Sequence, residues 1–515
     1  MNRAIEALVS SAQQEEGLPI IRLGEISDNA TKGEQALLAA GVEIYQYGGT
    51  LVRPIIDAVT AANGHRSSVV RLHEVEAVYL RDLLSRHAIW QYYRARDKEL
   101  VRTDPPMEVA KTILARSGEW GFPAIVGVIT TPTMRPDGSL LTKPGYDPTT
   151  QLLLVGPPRM PAIPAKPSKE DAARCLELLE DLLAEFPFAD DVSRAVALSG
   201  LITPIVRGSF AVAPMHVCTA PVAGSGKSYL WDVVAAVAIG QPMPVMAAGR
   251  NDEETEKRLG AALMAAQPLI SIDNVTNGLG GDALCMAIER SSLRIRILGL
   301  SKNACVEARG TTFYASGNNI VVVGDVCRRV ITAVLDPETE RPELRSFNNN
   351  PVAKVMRDRG TYIAAALTIC RAYMAAGRPR TAKCLASFEA WSDLVRSALI
   401  WLGAADPVAS MERARELDPQ TVELRAMLEA WSGAIGDGVE HRATCAQVIE
   451  AAKANAELMM ALQAAVVSAA KKNRLDAAVL GRWLQRWKGK IVDGRRFNAE
   501  ANRKGGSKWW IEEVR

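Results

Sequence analysis

Met215-His216-Val217-Cys218-Thr219-Ala220 runs straight into Pro221-Val222-Ala223-Gly224-Ser225-Gly226-Lys227-Ser228. The first six residues are apolar or β-branched and read as a buried strand. The second stretch is rich in glycine and ends in a lysine and a hydroxyl. A helix-forming run follows to Ile239. Strand, glycine loop and helix in that order are the context a phosphate-binding loop needs. Glycine lets successive backbone N–H groups turn toward anionic oxygens, and the helix N-terminus adds a partial positive charge. Ala223, Gly224, Ser225, Gly226, Lys227, Ser228 and Tyr229 are therefore expected around a nucleotide, with ATP and Mg²⁺ as the implied ligands. Lys227 would reach the β- and γ-phosphates and Ser228 would hold the metal. Pro221 departs from G-x-x-x-x-G-K-[ST]. Proline supplies a turn but not a positive φ, so the loop's entry must differ.

Beyond this loop the chain alternates: Pro244–Gly249, a helix over 253–266, Pro268–Val275, a helix over 282–292, and Thr311–Asn318. Four buried-type strands separated by helices predict an α/β fold with a parallel sheet covered on both faces. The apolar run Leu269-Ile270-Ser271-Ile272 ends in Asp273, which sets a carboxylate beside the metal position at the sheet's C-terminal edge. Asn274 follows it, where glutamate is the usual base, and asparagine cannot take a proton from water. Either Asn274 positions the water or another carboxylate is the base. Glu253 and Glu254, opening the preceding helix, are the candidates, although a helix N-terminus favours acids in any case. Tyr314-Ala315-Ser316-Gly317-Asn318-Asn319 ends the fourth strand, where Asn318 can orient water against the terminal phosphate. Past it come Arg328 and Arg329, whose planar, permanently charged forks suit a finger entering a neighbouring active site.

Between Asp273 and Asn318, Arg294, Arg296 and Leu298 alternate with Leu293, Ile295 and Ile297. A Ser301-Lys302-Asn303 turn and a second extended run complete a β-hairpin with a basic tip. At the far end, 475–492 is helix-like and rich in Arg, Lys and Trp. Two strand-like runs around Gly505-Gly506 follow it. Helices followed by a ribbon describe a winged helix, a helix-turn-helix variant. Arg482, Arg486, Lys488, Arg495, Arg496, Arg503, Lys504 and Lys508 would supply phosphate contacts to DNA. Trp483, Trp487, Trp509 and Trp510 read as core.

The order of phosphate loop, acidic strand end, basic hairpin, Asn318 and paired arginines resembles superfamily 3 helicases of the AAA+ class. It is most similar to the helicase part of phage and mobile-element primase–helicases. The 136–147 stretch, PDGSLLTKPGYD, is similar to these proteins as well. The resemblance implies an AAA+ P-loop core, with Lys227, Asp273 and either Asn274 or Glu254 serving hydrolysis. It makes Asn318 the sensor, Arg328 or Arg329 the finger, and Ser228 with Asp273 the Mg²⁺ holders. Lys302 and Asn303 would grip single-stranded DNA in the pore of a homo-oligomeric ring, a hexamer, and the C-terminal module would bind duplex. The implied activity is ATP-driven helicase or translocase work in DNA replication. Two rivals are a non-translocating AAA+ loader or switch and a metabolic P-loop kinase; the hairpin, the arginines and the basic end speak against the kinase.

Length and composition frame this reading. At 515 residues the chain exceeds one core. The ranges read as 1–155, an N-terminal α+β domain; 156–171, a Pro-rich linker; 172–345, the ATPase core; 346–439, a helical subdomain; and 440–515, the winged helix. Net charge is +3 overall, yet residues 471–515 alone carry +8, which points to nucleic acid. The eight cysteines form no C-x-x-C pair and the five histidines do not cluster with them, so neither disulfides nor a zinc site is expected. No signal-peptide core and no membrane span is read from the sequence, and a cytoplasmic location is expected.

Overall fold

The computed structural model describes residues 17–60, 66–249, 251–276, 278–296, 303–469, 475–500 and 506–514. They form two compact units. The first comprises residues up to Val275 with Gly281–Asn318 and Ile331–Pro407. The second comprises Thr276–Gly280, Asn319–Val330 and Val408 onward.

The centre of the first unit follows the chain as β1 (Met215–Ala220), α1 (Lys227–Ile239), β2 (Val245–Ala247), α2 (Asp252–Met264), β3 (Leu269–Asp273), α3 (Asp282–Glu289), β4 (Ser292–Arg296), β5 (Asn303–Glu307), β6 (Thr312–Asn318) and β7 (Val330–Val334). Five of these strands make one sheet in the order β2-β3-β6-β1-β7. β2 with β3, β3 with β6 and β6 with β1 pair in parallel. The α/β class is as the alternation predicted, and β7 adds a fifth strand that the four-strand reading did not include. β3 and β6 are buried along nearly their whole length, which is why they read as unbroken apolar runs rather than alternating ones.

α1 is buried almost all round, from Leu230 to Ala238, as befits a helix that fills a core. Gly240 ends it at φ 69°, its N–H donating to the carbonyls of Ala235 and Ala236. Trp231 pins it to the sheet, with Nε1 donating to Ala315 O at 2.8 Å. Asn251 caps α2, its side chain accepting from the Glu254 N–H at 2.9 Å. β4 and β5 pair antiparallel from Ser292–Glu307 to Arg296–Asn303. Leu293 and Val306 are buried and Arg294 and Cys305 exposed, the two-residue alternation that the sequence showed.

The Pro-rich stretch expected as a linker packs within this unit. The carbonyl of Arg159 lies 1.8 Å from where a Cβ on Gly360 would stand, so only glycine permits this approach at the start of α4 (Arg359–Ala375). The helix Lys169–Leu183 begins at a capping box formed by Ser168 and Asp171. The apolar residues at helical spacing over 76–94 make a shorter helix than that spacing allows. It spans Ala77–His87, and Ile89–Arg94 is a strand parallel to Ile20–Arg22. The aromatic run Ile89-Trp90-Gln91-Tyr92-Tyr93 favours the extended state, and pairing with Ile20–Arg22 ends the helix there.

The second unit holds α5 (Pro419–Ala434), β8 (Ala443–Thr444), α6 (Cys445–Ala452), α7 (Ala456–Ala469), α8 (Ala477–Trp487), β9 (Arg495–Glu500) and β10 (Lys508–Glu513). Three helices and an antiparallel sheet in the order β8-β10-β9 make the winged-helix arrangement, with β8 a third strand beyond the expected ribbon. α5, read as part of the helical stretch up to 439, shares this core: Leu424, Leu428 and Trp431 join Leu480, Trp483, Leu484 and Phe497. Among the described residues no helix is long and apolar enough to cross a membrane.

Candidate nucleotide-binding site

The glycine loop takes the conformation that its composition requires. Gly224 and Gly226 adopt φ 75° and 91°, left-handed values that would strain any side chain. A Cβ on Gly224 would also come within 3.2 Å of Glu343, so the loop is a cradle that a larger residue would fill. Ser225 Oγ and Lys227 Nζ both donate to Val222 O, at 2.7 and 2.9 Å. Lys227 is 8 % exposed. Burial pushes its ammonium below the usual lysine range, while the Asp273 carboxylate acts in the opposite sense.

Sheet register brings the other candidates to the same edge. Ala220, the last residue of β1, stands beside Asn318, the last of β6. Asp273 lies one step past the Ile272–Ala315 pair, at the level of Ser316. Asp273 Oδ1 accepts three hydrogen bonds: from Ser228 Oγ at 3.2 Å, from Ser316 Oγ at 2.5 Å and from the Asn274 N–H at 2.9 Å. A hydroxyl and a carboxylate this close are the donors a hard, oxygen-seeking cation takes. Among the described residues no group of three His, Cys, Asp or Glu could hold a metal by itself. The donor set thus fits an ion that completes its shell with water and phosphate oxygens, as Mg²⁺ does.

Asn274 has φ 55°. Asparagine enters the left-handed region more readily than glutamate, a backbone reason for the residue that departs from expectation. Glu254 pairs with Arg258 one turn along α2, and Glu253 pairs with Lys257 at 2.6 Å. Asn318 is exposed at its strand end.

Beside the loop opens a cavity of about 410 Å³ lined by Phe186, Pro187, Tyr229, Arg345, Phe347 and Asn350 among others. Phe186 and Tyr229 stack with centroids 6.1 Å apart at 26°, and Tyr229 Oη donates to Asn350 Oδ1 at 2.9 Å. Of the lining residues, Ser225, Gly226 and Tyr229 were read from the sequence. Phe186 lies 43 residues before Tyr229, and nothing in the local pattern links the two.

In the second unit the arginine pair divides. Arg329 is 4 % exposed and tied to Asp325, 2.5 Å to the carboxylate and 2.7 Å to the carbonyl. Arg328 is exposed, its Nε donating to Asp325 Oδ1 at 2.5 Å. They sit at the end of the short 3₁₀ turn Gly324–Arg328. Asn303 opens β5 opposite Arg296 rather than lying in a turn. Lys302, the expected tip, lies outside the described residues, as do Arg503 and Lys504.

On the winged helix Arg482 and Arg486 are exposed on α8. Lys488 follows with Nζ donating to Ala499 O at 3.2 Å. Arg496 pairs with Glu512 at 2.7 Å, and Arg495 is half-buried opposite Glu513. Trp483, Trp487 and Trp509 are buried in the core; Trp510 is half-buried.

No protein-family model matches this chain, and no curated protein matches it. Among solved structures it is similar to the apo A form of the NrS-1 C-terminal region, at 11% identity and a TM-score of 0.37, over 93% of this chain and 98% of that one. It is also similar to the SCCmec type IV Cch structure described as an active helicase, at 8% identity and a TM-score of 0.32, over 92% and 98%. With TM-scores below 0.5 the likeness is loose, and the chemistry of the site is read from this chain's own residues.

Proposed function

We propose that this chain is an ATP-driven DNA helicase or translocase of a phage or mobile element, acting in DNA replication as an oligomeric ring. The observation that carries this reading is the convergence of Lys227, Ser228, Asp273 and Asn318 on the C-terminal edge of one parallel sheet. ATP with Mg²⁺ supplies the phosphoryl group and its counter-charge. The backbone of Ala223–Ser228 and Lys227 bind the phosphates; Ser228 and Asp273 hold the cation. Ser316 fixes Asp273, and the Phe186–Tyr229 cavity takes the base. Asn318 orients the attacking water. Asn274 assists it by hydrogen bonding alone, and Glu254 is the candidate base, available once Arg258 releases it. Arg328, the exposed member of its pair, reaches the γ-phosphate of a neighbouring subunit. The β4–β5 hairpin, with Asn303 at the start of β5 and Lys302 next to it in sequence, grips a single strand in the pore of a hexamer. Arg482, Arg486, Lys488, Arg495, Arg496 and Lys504 hold duplex through its phosphates.

ATP turnover with and without single-stranded DNA tests this reading. Wild type is expected to hydrolyse ATP faster with DNA, and Lys227→Ala to lose both basal and stimulated turnover. Wild-type rates in that variant would remove the nucleotide site.

A further inference from the structure

Asp418 is an acidic residue that the nucleotide chemistry leaves unused. It is 2 % exposed, a burial that a carboxylate tolerates only when hydrogen-bonded. Its partners come from two places. As N-cap of α5 it accepts from the Gln420 N–H at 3.2 Å and from Thr421 Oγ1 at 2.8 Å. It also accepts, on Oδ1 at 3.2 Å, the N–H of Gly324, the first residue of the turn that ends at Arg328. Cys327 lies at the same junction, its Sγ 3.4 Å from Val322 O and 3.7 Å from Ala414 O. Gly324 has φ 65° and lies against the Gln420 side chain.

α5 is in turn built into the winged helix. Trp483 of α8 donates from Nε1 to Glu423 Oε1 at 2.5 Å, and Arg425 pairs with Asp493 at 2.6 Å. The exposed Arg482 and Arg486 lie on the same helix as Trp483. A short path of close contacts thus runs from the basic face of α8 through α5 to Asp418 and on to the turn of Arg328.

We propose that Asp418 is a positioning residue for Arg328. It fastens the turn carrying this arginine to the core of the DNA-binding unit, so that duplex bound on that unit is read out as ATP hydrolysis. The proposal rests on the reading of Arg328 given above and adds its regulation by duplex DNA.

The test uses the full chain as wild type, Arg328→Ala, Asp418→Asn and the double variant. Three quantities are measured: ATP turnover with and without blunt duplex, nucleotide affinity and duplex affinity. Asn still caps a helix but loses an anionic acceptor. Asp418→Asn is expected to lose duplex-stimulated turnover by about tenfold, a typical coupling between sites, with both affinities retained. The double variant should be no slower than Arg328→Ala. Mixing Asp418→Asn with Lys227→Ala subunits should restore turnover, because mixed interfaces then pair an intact arginine turn with an intact loop. A wild-type duplex response in Asp418→Asn, or a loss that adds to that of Arg328→Ala, overturns the proposal. Should Asp418→Asn lose duplex affinity through misfolding, Gly324→Ala makes the same comparison by straining only the turn: the same loss supports the proposal and a wild-type response overturns it. Wild-type turnover in Arg328→Ala would overturn the underlying reading of that arginine, and this inference with it.

Discussion

Asp273 gathers a loop hydroxyl, a strand hydroxyl and its neighbour's amide on one oxygen, so its orientation is fixed before any cation arrives. Two substitutions separate the carboxylate from its support. Asp273→Ala should abolish turnover. Ser316→Ala keeps the carboxylate but frees its rotamer, and should raise the Mg²⁺ concentration needed for half-maximal turnover by about tenfold, the usual scale for a partner that orients a metal ligand. A Mg²⁺ titration reads this, and an unchanged midpoint would make Ser316 a packing residue. Lys227, Ser228 and Asp273 were legible in the sequence because each is marked by neighbours: two glycines, or an apolar strand. Ser316 was not singled out, since its role depends on the offset between β3 and β6, which no local pattern encodes. Asn274 looked like a missing base, and its left-handed φ of 55° supplies a backbone reason that only coordinates reveal.

At the scale of elements, β1, β6 and the helix Asp191–Ile202 meet around His216. Its Nε2 lies 3.0 Å from Ser199 Oγ, and its ring stacks on Tyr314 at 5.5 Å. Burial pushes its pKa down to about 3 from 6.5. A histidine depressed in the folded state stabilises the fold above its unfolded pKa, and that stability is lost as pH falls. Between pH 6.5 and 5 the loss from this group is about 2 kcal/mol. Urea unfolding of the first unit at pH 7 and pH 5 should therefore show a lower midpoint at pH 5, and His216→Gln should flatten the difference. An unchanged difference would place the acid sensitivity elsewhere. In the winged helix, Arg482→Ala should weaken duplex binding and lower the slope of log affinity against log salt by about one, the signature of one phosphate contact. An unchanged slope would take Arg482 off the DNA. Strand–helix alternation made the parallel sheet legible, because buried strands are apolar throughout. The end of the helix near His87 and the two-residue strand Ala443–Thr444 were not. The first is decided by pairing with Ile20–Arg22, the second by pairing with Trp509 and Lys508, and both partners are more than 60 residues away in the chain.

At the scale of the whole molecule, the first unit holds the candidate nucleotide site, and the second holds the arginine turn and the winged helix. Movement of DNA separates a translocase from a non-translocating AAA+ switch, which also hydrolyses ATP, and from a kinase. The direct measurement is strand separation: a forked duplex with one labelled strand, the full chain, ATP and Mg²⁺. A DNA-moving ATPase requires ATP-dependent release of the labelled strand by wild type and none by Lys227→Ala. Lys302→Ala, with hairpin contact weakened, should release it more slowly than wild type. DNA-stimulated ATP hydrolysis with the duplex left intact on every fork would contradict the translocase reading.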